Sequence, residues 1–258
     1  MSNLPISLQA FIWGGVSGSA LMVGAFIGYF IKLPHRFVSG VMAFGVGVLI
    51  STLSFNLMAE AVEEGTVLSS GIGFLLGVAI YSGANALLAH QGAKHRKRSI
   101  RSGINGGTAV VCSGSAGTAI AIGSLVDGVP ESAAIGFSLL DGQGVSLMTV
   151  IAIFISNVPE GLSSSVGFRK DGKSPGFVFG LWISIGVASA LAAFIGYSVI
   201  GGMSPTILSA ATAVAAGAIL VMVIQTMIPE AFEDIHNFTG PIAAVGFLLA
   251  FIGSQLMG

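Results

Sequence analysis

This 258-residue sequence predicts an all-α integral membrane protein of eight transmembrane helices. Three observations predict that class. Long runs of Ala, Val, Ile, Leu, Phe, Met and Gly are almost uninterrupted, and at about 1.5 Å per residue they are long enough to cross a bilayer. Hydrophobic residues make up 53% of the chain and charged residues only 8%, against roughly 25% charged in an ordinary soluble domain. All ten Lys and Arg residues fall in three of the gaps between runs, and those gaps alternate.

The runs are 7–31, 37–59, 67–89, 116–140, 144–168, 175–201, 204–229 and 239–257. Lys32 and Arg36 lie after the first. Lys94, Arg96, Lys97, Arg98 and Arg101 follow the third, and Arg169, Lys170 and Lys173 follow the fifth. With eight crossings these gaps share one side, which the positive-inside rule makes cytoplasmic, so both termini are expected to face outward. The loops are too short for a separate soluble domain, and residues 1–258 read as one polytopic domain. Met1-Ser2-Asn3-Leu4-Pro5 lacks the basic segment that precedes a cleavable signal, so the first run is expected to remain in the protein. A lone Cys112 excludes an intramolecular disulfide framework. The expected surroundings are a lipid bilayer, with the basic run at 94–101 available to anionic lipid. No nucleic-acid partner is expected.

Glycine is abundant, at 38 residues. Gly14-xxx-Gly18 and Gly24-xxx-Gly28 put small residues on one face of the first helix, where backbones can approach closely.

An internal repeat links the two ends of the chain. Leu57-Met58-Ala59-Glu60-Ala61-Val62-Glu63-Glu64 matches Met227-Ile228-Pro229-Glu230-Ala231-Phe232-Glu233-Asp234, and Gly73-Phe74-Leu75-Leu76 matches Gly246-Phe247-Leu248-Leu249. Helices two and seven are an odd number of crossings apart, so the repeat is inverted. It relates helices 1–3 to helices 6–8 around helices 4 and 5, a 3+2+3 plan recurrent in secondary transporters.

The polar residues inside the runs carry the chemistry. Asp127 and Glu131 are mid-run in helix 4, and Ser156, Asn157 and Glu160 are mid-run in helix 5. Ionisable residues at such depth mark ion paths, proton relays or tight structural pairs. Asp127 with Glu131, and Ser156 with Glu160, are spaced i, i+4 and so share a helix face. Lys and Arg are confined to the gaps, which favours a bound cation, protons or water as the neutralising partner. Pro130 and Pro159 directly precede the glutamates, and each frees a helical carbonyl, those of Val126 and Ile155. The Val-Pro-Glu of 129–131 and 158–160, echoed by Ile-Pro-Glu at 228–230, sets a carboxylate beside exposed backbone oxygen. A Pro kink serving packing alone is the competing explanation, and its repetition on adjacent antiparallel helices favours an ion site.

These residues resemble the ZIP (Zrt/Irt-like) family of divalent metal transporters, over nearly the whole chain. In that family helix 4 carries His-Asn-x-Pro-Glu-Gly, and helix 5 carries His or Gln, an acid, then x-Pro-Glu-Gly. Here the matching runs are Asp127-Gly128-Val129-Pro130-Glu131-Ser132 and Ser156-Asn157-Val158-Pro159-Glu160-Gly161. The resemblance implies Glu131 and Glu160 as bridging carboxylates, with Asp127, Ser156 and Asn157 in altered ligand positions and Glu230 retained from helix 7. Both imidazoles are replaced, Gly128 offers only backbone, and Gln225-Thr226 stands where many relatives carry an acidic pair. Helix 6 contains no acid, and Ser184 and Ser189 are its nearest candidates.

The resemblance further implies a homodimer in a plasma or inner membrane, importing a divalent cation through a midplane site. Zinc, manganese, iron and magnesium are the candidate substrates, and an all-oxygen donor set suits the harder ions over a selective zinc site. None of His35, His90, His95 or His236 is deep in a run, so all four read as loop residues. Glu60, Glu63 and Glu64 read as a solvated helix end or a cation-attracting mouth. No enzyme is expected, because the chain has neither His-Glu-x-x-His nor Gly-x-Ser-x-Gly. The rival readings are a membrane metal sensor or scaffold that does not transport, and a proton-coupled transporter of another solute.

Overall fold

The computed structural model describes residues 4–90, 115–140, 144–170 and 172–257. The basic run at 94–101, His95 and Cys112 lie outside the described residues. The long helical segments are α1 (Ile6–Phe30), α2 (His35–Glu64), α3 (Val67–His90), α4 (Ser115–Phe137), α5 (Leu147–Lys170), α6 (Pro175–Ile200), α7 (205–235) and α8 (Thr239–Met257). Among the described residues, six stretches are long and apolar enough to cross a membrane, one of them the continuous Pro205–Leu256 that holds both α7 and α8. The chain is a multi-pass membrane protein.

Local sequence sets the helix starts. Pro175 and Pro205 occupy first-turn positions of α6 and α7, where proline's missing N–H costs nothing, and the Ser174 hydroxyl accepts the Phe177 N–H at 3.3 Å. Pro130 and Pro159 are accommodated inside α4 and α5. In the most apolar window of α5, 72% of residues are buried, against 22% in α3. Thus α5 is central, while α3 turns Leu68, Ile72, Leu75, Leu76 and Ile80 outward, to where lipid would lie.

The two matching segments share a backbone feature. Both α2 and α7 relax into a single π-helical turn, at Leu53–Leu57 and Val223–Met227, and each turn leads into the segment bearing Glu60 or Glu230. Only α7 has a proline after its turn; Ala59 occupies the matching place in α2. Proline is therefore not the common cause.

Packing runs across the repeat and does not follow its sequence halves. Helix α3 packs along α7 and α2 along α8, while α1 packs on α5 and α6, and α6 on α4. Glycines make these crossings. A Cβ on Gly47 would overlap the Ala243 carbonyl of α8, and one on Gly217 the Phe74 carbonyl of α3. Gly14 and Gly18 face Ser189, Ala190 and Gly186 of α6, whereas Gly24 and Gly28 face Val158 and Leu162 of α5. The two small-residue pairs of α1 thus serve two different neighbours. The bundle resolves into one group of α1, α4, α5 and α6 and another of α2, α3, α7 and α8, with narrower contacts of α2 on α5 and of α4 on α3 and α7 between them.

Candidate functional site

The helices that carry Val-Pro-Glu lie where these two groups meet. Asp127 is 0% exposed, Glu131 1% and Glu160 7%. Ser156 and Asn157 are also buried, and Glu230 is half-buried. Each of the six residues singled out in the sequence therefore lies inside the bundle or at the edge of its interior. Gly161 fixes the height of Glu160, because its missing side chain lets α5 lie against the Leu21 backbone of α1. On the opposite flank, Gly45 of α2 sits 3.4 Å from the Ser156 Cα and 3.8 Å from the Pro159 ring, measured from where its Cβ would be.

Hydrogen bonds tie this ensemble to its surroundings. The Tyr81 hydroxyl of α3 donates to Asp127 Oδ1, and the Ser163 hydroxyl of α5 donates to Glu230 Oε1. Asn157 Nδ2 donates to the Ser17 carbonyl of α1 at 3.2 Å, and the Ser156 hydroxyl donates to the Ile153 carbonyl at 2.9 Å. Ser163 is one turn beyond Glu160 on α5, so its bond brings Glu230 to the face of α5 that carries Glu160.

Other residues marked in the sequence lie elsewhere. Gln225 accepts a 2.7 Å hydrogen bond from Asn85 on the outside of the bundle, and Thr226 donates to its own helix at Met222. Ser184 is exposed and donates to the Leu181 carbonyl. Ser189 is buried, and its hydroxyl is 3.4 Å from where a Cβ of Gly128 would stand, so it faces α4 beside Asp127. His35 and His236 are at helix ends. Tyr81 and Ser163 are the contacts that sequence reasoning missed. The signals were a lone tyrosine deep in an apolar run, and the triplet Ser163-Ser164-Ser165 one residue past the Pro-Glu-Gly.

Among the described residues, no three His, Cys, Asp or Glu side chains converge closely enough to hold a metal ion. In this conformation no three of the acids are gathered about one point. Two carboxylates completed by hydroxyl, amide or carbonyl oxygens remain the donor set that α4 and α5 offer. Hard divalent cations accept such oxygen donors.

Comparison with known proteins adds a distant likeness. The chain is similar to the zinc transporter ZIP11 of Bos taurus, 27% identical over 217 residues. The likeness covers 66% of this chain and 62% of that protein, so it spans less than two thirds of the relative's length. No protein-family model matches.

Proposed function

We propose that this protein is a ZIP-like transporter that moves divalent metal cations into the cytoplasm across eight membrane crossings. The observation that carries the proposal is the burial of Asp127, Glu131 and Glu160 on two adjacent, proline-interrupted helices. Carboxylates at such depth cost several kcal/mol unless a cation or proton compensates them, and they mark ion paths in membrane proteins. Pro130 and Pro159 add backbone oxygens next to those carboxylates. The likeness to a zinc transporter points to the same class of cargo.

In this reading Glu131 and Glu160 hold the ion from α4 and α5, with Asp127, Ser156 and Asn157 as further oxygen donors and Glu230 on the inward side. The donor set is hard, so manganese, magnesium or ferrous iron should rival or exceed zinc. Protons compete for the same oxygens, so cation affinity should fall as pH falls. Alternating access would then involve the packed groups described above, since the sequence halves are interleaved. A homodimer in a plasma or inner membrane, with both termini extracytoplasmic, completes the proposal.

Purified protein in liposomes tests it through uptake of manganese, zinc, iron and magnesium. Uptake of at least one divalent cation is expected, and Glu160→Gln should reduce it to the protein-free background. Full uptake by that variant would remove the site. Saturable binding without transmembrane movement would instead support the sensor or scaffold reading.

A further inference from the structure

Two hydroxyls meet the carboxylates of the candidate site, and both bonds cross between the two packed helix groups. Tyr81 belongs to α3 in one group and Asp127 to α4 in the other. Ser163 belongs to α5, and Glu230 to α7. The two bonds have opposite senses: the group of α2, α3, α7 and α8 supplies the donor in the first and the carboxylate in the second. The two helix groups are thus tied at both α4 and α5 through the atoms a cation would need.

We propose that Tyr81 and Ser163 are positioning residues that hold Asp127 and Glu230 in a cation-free arrangement, so that an incoming divalent cation must displace their hydroxyls to complete its shell. This inference rests on the proposed cation site and names how that site is held when empty. It also accounts for an otherwise puzzling geometry. Asp127, Glu131 and Glu160 are buried, yet no three of the acids meet at one point. Asp127 is drawn toward α3 and Glu230 toward α5.

The chemistry of the two donors suits the role. A phenol or a serine hydroxyl donates one proton to a carboxylate, a charge-assisted bond stronger than a neutral one. A divalent cation offers the same oxygen a full ionic contact, and the displaced hydroxyl oxygen keeps lone pairs that can turn to the metal. The ring of Tyr81 is 2% exposed and packs in the largest apolar cluster with Ala134, Phe137 and Ala218. That cluster fixes the ring, so its hydroxyl stays aimed at α4 while Asp127 moves.

Tyr81→Phe keeps the ring and deletes the donor alone. The test uses full-length protein in detergent, titrated with manganese and separately with zinc, reading the cation-dependent rise in melting temperature. In the wild type the rise should saturate and should vanish in Glu160→Gln. Tyr81→Phe should saturate at roughly tenfold lower cation concentration, because the competing bond is gone. In an Asp127→Asn background, Tyr81→Phe should leave the half-saturating concentration unchanged. Ser163→Ala should act in the same direction as Tyr81→Phe.

A wild type that responds to cation, combined with a Tyr81→Phe half-saturation that is unchanged or higher, would overturn the inference and leave the cation site standing. A wild type unresponsive to every cation would remove the site, and the inference with it. Melting temperatures of the four cation-free proteins in the Tyr81/Asp127 cycle give an independent reading. Additive losses there would show that the bond does not couple α3 to α4, and would overturn the inference whatever the cation does.

Discussion

Helices α2 and α7 share a sequence signature, a π-helical turn and a following acidic segment, yet their glutamates meet different surroundings. Glu230 receives the Ser163 hydroxyl of the central helix α5. Glu60 sits in the segment before Gly65, next to Ala61, whose carbonyl accepts the Ser70 hydroxyl of α3 at 3.0 Å. The π-turns also diverge in composition. Phe55 packs against Phe247 and Phe251 of α8, whereas its counterpart Gln225 bonds Asn85 of α3. Two similar segments thus share a backbone turn, while what lies opposite each one differs.

That comparison can be broken most severely at the glycines the two helices share. Gly47→Leu and Gly217→Leu should each prevent recovery of folded protein, because each side chain would strike a backbone carbonyl of the packed partner helix, Ala243 or Phe74. Size-exclusion profiles of the two variants check this, and a normal profile for one alone would show that the two crossings are not equivalent. A sharper test separates the two glutamates. Glu230→Gln should lower cation uptake by about 10- to 100-fold, the range seen when groups supporting a metal site are lost. Glu60→Gln should change it by no more than about twofold, as expected of a charge that lies outside the α4–α5 donor set and only enriches cations nearby. Equal losses in liposome flux would mean that both copies face the ion. The smallest expected effect lies at the π-turn of α7. Gln225→Leu should cost about 0.6 kcal/mol in stability, typical of one interhelical hydrogen bond in a membrane. It should leave uptake at the wild-type rate, measured on the same preparations.

Much of this architecture was legible in the sequence because a bilayer imposes few solutions. Apolar length and basic gaps marked the helices to within a few residues, and the two Pro-Glu runs marked α4 and α5. Helices α2 and α7 extend past the expected ends at 59 and 229 because their π-turns carry the helix on through Glu60 and Glu230. Propensity carries no clear sign of such a turn, and the chain shows one with a proline following and one without. The interleaved packing was also hidden. Gly47, Gly217 and Gly246 read alike as small residues in apolar runs, and which backbone each admits depends on pairings far apart in the chain. Tyr81 was overlooked for a related reason, since its partner is 46 residues away on another helix. Asp127, Glu131 and Glu160 needed no such knowledge, because a carboxylate amid apolar residues is conspicuous by itself.

Crystals of the wild-type protein soaked in manganese, measured for anomalous scattering, test the central claim most directly. A peak between α4 and α5, within bonding distance of Glu131 and Glu160 oxygens, is the predicted result. Manganese density found only at Glu60, Glu63 and Glu64, or nowhere in a protein shown to carry the ion, would contradict it.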